Sequence, residues 1–462
     1  MFQRHRRLIL LLGVLLLAAS VLAPPPHGLS PGGLRCLGLF CVCGLFWVTS
    51  VLPLAVTSLS VMALLPLLGI LGPDESFALF GNRAVFFILG ALVLAASMIS
   101  TGLSARLAVL MVSRFGRSGR TFLLGVLLSS AFLSFWMPEH AVAAMMFPVV
   151  LEVARALHLQ PIRSRYGRAL FLALAWGAVI GGIATLLGGA RNPLAIAILY
   201  QTTGETIGFF EWMRAALPLC LPLLAVAAFA LDRMAAHEKI DIAPCREVLQ
   251  RKLAAAGPLS RAERRLAVIG SATIIAWSVL GHTVGLAQIS ILSAVLLFVF
   301  RVTDWQSVEE NVNWGIIIMY GGAVALGSAL VESGAAHWVA VRLASHTALP
   351  PLGVLVALAA VTLVLTEGIS NSAAVAVVLP IALSLAQVQG LGPGPLIVFA
   401  VALPAGLAFC LPMGSPPNAI TYSAGYYKLR DILILGVVLK GVGLLVIIVL
   451  LTRVWPGIAA GG

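Results

Sequence analysis

Residues 138–148 read Pro-Glu-His-Ala-Val-Ala-Ala-Met-Met-Phe-Pro, and residues 370–380 read Ser-Asn-Ser-Ala-Ala-Val-Ala-Val-Val-Leu-Pro. An offset of 232 residues lays one stretch on the other and brings Ala141, Ala144 and Pro148 onto Ala373, Ala376 and Pro380. The same offset carries Gly90 and Gly102 onto Gly322 and Gly334. In each half a polar triplet, Pro138-Glu139-His140 or Ser370-Asn371-Ser372, interrupts an apolar run. Further on, Gly188-Gly189-Ala190-Arg191-Asn192 echoes Gly414-Ser415-Pro416-Pro417-Asn418 at an offset of 226. An internal repeat with Gly/Pro-interrupted apolar segments in corresponding positions is the signature of a secondary transporter.

Composition sets the class. The chain is 60% hydrophobic and only 10% charged, with a mean hydropathy of +1.05, whereas soluble domains carry about 25% charged residues. It is an all-α polytopic membrane protein, with room for about eleven transmembrane helices plus shorter re-entrant pieces at roughly 20 residues per span. The net charge of +12 does not point to nucleic acid, because the arginines gather in loops, where they orient helices in the bilayer. Cys36, Cys41, Cys43 and Cys220 lie in apolar runs without metal-ligand spacing and read as small core residues.

Arginine placement gives the topology. Arg4, Arg6 and Arg7 put the N-terminus in the cytoplasm, and residues 8–23 read as a retained first span rather than a cleaved leader. Residues 1–35 hold this span and an external loop, and 36–231 form a first repeat, with Pro53 breaking its opening apolar stretch. Basic clusters flank 121–154 on both sides (Arg114, Arg117, Arg120; Arg155, Arg163, Arg165, Arg168), so this segment enters and leaves on one face; a re-entrant hairpin turning at the polar triplet is the natural reading, with two short full spans as the alternative. A broken helix follows at 169–199. The linker 232–265, rich in Arg and Lys (Lys239 among them), is cytoplasmic and suits an amphipathic surface helix. The second repeat, 266–452, holds a hairpin at 351–388 whose flanks carry no basic residue, and a broken helix at 395–427; a tail, 453–462, ends the chain. The second hairpin thus enters from outside, opposite to the first. The fold expected is an inverted-topology repeat with two opposed re-entrant hairpins and two broken helices.

The polar breaks carry the chemistry. Thr366 to Ser372 offer hydroxyls, an amide and freed carbonyls, which are hard oxygen donors for a small cation, and O–H and N–H groups for an anion. A helix starting near Ala373 aims its N-terminus at the same spot. Interhelical hydrogen bonding explains a single Ser or Asn in a membrane helix, but not four breaks in matching pairs.

The strings TEGISNSAAVAVVLPI and LPMGSPPNAITYSAG resemble the signature segments of the divalent anion:sodium symporter family, and the likeness extends over roughly 36–452. That family carries Ser-Asn-Thr at the tip of each of two opposed hairpins, with a Thr-Pro-Pro-Asn type loop beside each. The resemblance implies that Ser370, Asn371 and Ser372 form the second tip, and that Thr366, the Ile369 carbonyl, Asn371 and the Gly414 carbonyl surround one sodium ion. Ser415 and Pro416 would border the substrate, and Ser134 with the Gly188/Gly189 backbone would remain at the other sodium site. It also implies a homodimer.

The first half departs from that pattern, with Pro138-Glu139-His140 for Ser-Asn-Thr and Arg191 in the adjoining loop. Ionisable groups at membrane depth are costly and mark function. Glu139 and His140 could relay a proton. Arg191 could replace the charge of a missing sodium, giving a sodium-independent exchanger or uniporter. Glu139 and Arg191 could also form a purely structural bridge. Glu139, His140 and Arg191 therefore join the candidate substrate site, and Lys440 is expected to snorkel to the cytoplasmic interface.

The function expected is secondary active transport of a small divalent anion, dicarboxylate first and sulfate second, in the cell's inner (plasma) membrane, without a cofactor beyond sodium or protons. An intramembrane enzyme would need a signature such as HExxH or GxSxG, which the spans lack. A non-transporting subunit would not need paired hairpin tips.

Overall fold

The computed structural model describes residues 2–236, 238, 240–346 and 349–459; Lys239 and the end of the tail, 460–462, lie outside the described residues. Helices account for every regular element among them. Eight are long and apolar enough to cross a membrane; Leu54–Leu67, Gly119–Leu133, Leu286–Val299 and Gly394–Gly406 are apolar but shorter. Two of the short ones are arms of a hairpin or of a broken helix, which need not cross the bilayer alone.

The internal repeat is written into the helix boundaries. Helices begin at Leu54, Pro73, Leu103, Gly119 and Glu139, and again at Leu286, Trp305, Ala335, Pro351 and Asn371, each pair 232 residues apart. Pro53 caps the helix Leu54–Leu67, as the break at that residue requires. The hairpins are Gly119–Leu133 with Glu139–Ala156, and Pro351–Gly368 with Asn371–Gln389. The first broken helix is Arg165–Ala184 with Arg191–Thr203; the second is Gly394–Ala402, two short 3-10 turns and Pro416–Tyr422. The linker carries the helix Ala243–Ala256.

The two repeats interleave. Leu54–Leu67 packs on Trp314–Glu332 of the other repeat, and its equivalent Leu286–Val299 packs on Arg83–Ser100. Glycine sets how close these helices come. A Cβ on Gly90 would strike Ser290, and one on Gly322 would strike Ser58, the same contact seen from each repeat. Within the first repeat, Gly177 and Gly181 let the helix Arg165–Ala184 lie against the backbone of Leu127 and Ala131. Cys36, Cys43 and Cys220 are buried as expected, but Cys41 is exposed, on the face of its helix turned away from the core.

Candidate functional site

Both hairpin tips and both helix breaks meet in the interior. Where Arg165–Ala184 stops, Asn192 donates to the carbonyls of Gly182 (3.0 Å) and Thr185 (2.6 Å). Where Gly394–Ala402 stops, Asn418 donates to those of Ala408 (2.8 Å) and Leu411 (3.3 Å), the same pair shifted by 226. One asparagine in each loop thus satisfies carbonyls that the broken helix leaves free, as membrane depth demands.

At the second tip, Ser370 caps the helix Asn371–Gln389 by accepting from the Ala373 N–H at 3.2 Å. The helix N-terminus falls at Asn371, in the expected place. Thr366 Oγ1 lies 2.7 Å from the Ala405 carbonyl and 2.6 Å from the Asn371 amide. The Ala405 and Gly414 carbonyls are each 3.2 Å from the same amide terminus. Four groups able to present oxygen therefore converge on one point. The Asn371 nitrogen faces inward and donates to them, and its oxygen accepts from Arg191 Nη1 at 3.1 Å. A cation in the pocket would reverse that preference, because it needs the amide oxygen inward. Ser415 and Ser372 are buried beside this pocket, the Ser415 hydroxyl without a partner, whereas Pro416 is exposed.

At the first tip the equivalent positions are filled differently. Ser134 stands where Thr366 does, buried and without a hydrogen-bond partner. The Gly188 carbonyl accepts from the Glu139 backbone N–H at 2.9 Å, which engages one of its two lone pairs. Glu139 Oε2 meets Arg191 Nη1 at 3.2 Å, with both side chains almost fully buried. Gly182 makes room for the carboxylate, and the guanidinium lies between Gly189 and Gly406, where a Cβ on either would collide with it. Arg191 Nε and Nη2 have no hydrogen-bond partner among the described residues, an unfavourable state for a buried cation unless something anionic completes it. His140, half-buried, lines a cavity of about 30 Å³ with Trp136, Pro138, Gly189 and Tyr320. It adjoins a larger cavity of about 220 Å³, with Phe87, Leu186 and Pro193 lining both. The smaller space holds roughly two waters, so a dianion would require the tips to part.

Three features were not foreseen. The Ala405 carbonyl joins the second pocket, and Tyr320, from the long helix Trp314–Glu332, reaches toward Ser372. Lys440 does not snorkel: it is buried and bonded to Glu367, because the helix Leu429–Arg453 turns this residue inward against the second hairpin.

The sodium:sulfate symporter transmembrane family matches residues 3–460. The chain belongs to that family. Sodium:sulfate symporters are transporters, and so is this chain, rather than an enzyme. The sodium-dependent dicarboxylate transporter SdcS of Staphylococcus saprophyticus is 29% identical over 475 residues, covering 97% of this chain and 91% of the relative. That of Staphylococcus aureus is 28% identical over 481 residues, covering 98% and 92%. Two solved structures share the fold. MtrF of Neisseria gonorrhoeae, described with a class of antimetabolite efflux pumps, has a TM-score of 0.59 at 13% identity, covering 96% of this chain and 94% of its own. The YdaH transporter of Alcanivorax borkumensis has a TM-score of 0.55 at 14% identity, covering 93% and 99%. The two inverted repeats, the paired hairpins and the paired broken helices are therefore the architecture of a multi-pass membrane transporter.

Proposed function

We propose that this symporter carries a small dianion, a dicarboxylate before sulfate, across the inner membrane by alternating access, coupled to one sodium ion in the second half. The convergence of Thr366 Oγ1, the Asn371 amide and the Ala405 and Gly414 carbonyls carries the reading. Four uncharged oxygen donors around one point suit a hard monovalent cation. Sodium turns the Asn371 oxygen inward, which releases Arg191 Nη1 from that oxygen and presents the amide N–H groups to the space between the tips. The dianion then meets Arg191 together with Ser370, Ser372 and Ser415.

In the first half, Arg191 supplies the positive charge that a second sodium would bring, and Glu139 balances it while the site is empty. The relatives named as sodium-dependent dicarboxylate transporters support the substrate class. Pairing as a homodimer belongs to the same reading and rests on the family resemblance. Proton coupling is a second reading, favoured by the position of His140 in the cavity beside Pro138 and Gly189.

Proteoliposomes test both. Labelled succinate or sulfate should accumulate under an inward sodium gradient and not when choline replaces sodium. Equal uptake in choline sinks the sodium reading, and accumulation driven by a pH gradient without sodium establishes the second one.

A further inference from the structure

The charge pair Glu367–Lys440 lies outside the pocket itself. Lys440 Nζ is 2.7 Å from Glu367 Oε1, with side chains only 10% and 12% exposed, and it also donates to the Leu363 carbonyl. The other contacts of Glu367 all run to one place. Oε1 accepts from the backbone N–H groups of Phe409 and Cys410, each at 2.9 Å, and Oε2 from that of Leu411 at 2.8 Å. These three donors belong to the unwound stretch between the halves of the second broken helix, and a Cβ on Gly414 would press on Glu367 Oε2. The helix bearing Lys440 touches the same stretch one turn earlier, where a Cβ on Gly436 would strike the Phe409 carbonyl. Unwound backbone in a membrane interior needs its N–H groups satisfied, and one carboxylate satisfies three of them here. Lys440 balances that carboxylate.

Among the described residues the first repeat has no such device. Glu367 corresponds to Phe135, since 367 − 232 = 135, and Lys440 corresponds to Cys220, since the helices start at 429 and 209 and 440 − 220 = 220. Among the described residues each repeat keeps one buried ion pair, but the first places it in the tip as Glu139–Arg191 and the second places it behind the loop.

We propose that Glu367 and Lys440 are positioning residues that hold the unwound stretch so that the Gly414 carbonyl faces the cation pocket, and so set the affinity for sodium without touching substrate. The inference rests on the sodium reading of the Thr366–Asn371–Gly414 pocket. A rigid carbonyl cage matters for a cation whose bonds are short and need several donors at once, and matters less for the anion.

The experiment measures succinate uptake into proteoliposomes with sodium varied at saturating succinate, and with succinate varied at saturating sodium. Native protein is compared with Glu367→Gln, Lys440→Met, the double variant and Gly436→Ala. Gly436→Ala displaces the unwound stretch while leaving both charges in place, and so covers the case in which loss of a charge prevents folding. Half-saturation by sodium should rise about tenfold in each variant that folds, with the succinate KM changed by less than about twofold. The double variant should resemble either single one, because the two residues act as a unit. Sodium half-saturation unchanged in the folded variants, or a matching rise in the succinate KM, overturns the proposal while leaving native sodium coupling intact. Native uptake indifferent to sodium overturns the sodium reading and this inference together.

Discussion

Glu139 and Asn371 hold equivalent places in the two repeats, 232 residues apart, and their side chains face each other at 3.4 Å across the interior. The pseudo-symmetric hairpin tips thus touch through the two residues at which they differ in charge. Arg191 stands beside both, at 3.2 Å from the carboxylate and 3.1 Å from the amide. One guanidinium therefore contacts the polar residue of both tips.

Asn371→Ala should abolish uptake while leaving normal amounts of protein in the membrane. Its amide serves the cation pocket with one orientation and Arg191 with the other, and alanine does neither. Near-native transport by a well-expressed variant would remove the second tip from the site.

Removing one member of the Glu139–Arg191 pair leaves a buried charge without its partner, a loss of about 3–5 kcal/mol. Glu139→Gln and Arg191→Met should each lower the melting temperature in detergent, and the combined variant should recover much of the loss. A combined variant less stable than both single ones would show that the pair is not the relevant unit.

On the proposed replacement of the first-half sodium site by Arg191 and Glu139, sodium dependence should be shallow, with a Hill coefficient near one. A steep, cooperative response with two ions carried per substrate would contradict the replacement of that site.

Gly90→Val and Gly322→Val should be similarly harmful, each by about 1–3 kcal/mol, since each pushes on the equivalent serine of the other repeat. A thermal denaturation series that ranked one far above the other would argue against symmetric packing.

The hairpins should open to opposite faces. Single cysteines placed at 155–168 should react from the cytoplasmic side, and those at 389–394 from the outside, with the exposed native Cys41 replaced first. Labelling of both sets from one side would undo the topology drawn from the arginines.

Much of the fold was legible because a membrane interior restricts the chain to few options. Apolar runs show the spans, and a re-entrant turn or a broken helix accounts for Pro138-Glu139-His140 and Gly188-Gly189-Ala190 at depth. The Arg191–Glu139 encounter could be foreseen, since buried charges seek partners. Ala405 could not, because its contribution is a carbonyl and an alanine carries no mark of that. Lys440 departs from its expected place at the interface for a related reason. A lone lysine in a 25-residue apolar helix can extend to the interface or turn inward, and the decision lies with Glu367, 73 positions away in the sequence, since 440 − 367 = 73. Cys41 sits among buried cysteines in the sequence, and only the orientation of its helix separates it from Cys36 and Cys43.

The interleaving of the repeats bears on how the chain is made. Ser58 donates to the carbonyl of Met319 at 3.4 Å, across 261 residues of sequence. When the helix Leu54–Leu67 leaves the ribosome, the surface it will rest on has not been synthesised, and its serine face must wait among lipids or other helices. The helix Leu286–Val299 is in the opposite position, since Arg83–Ser100 is already in the bilayer when it arrives. Two halves that are alike in finished form are therefore unlike in biogenesis: the earlier one inserts incomplete, and the later one closes both.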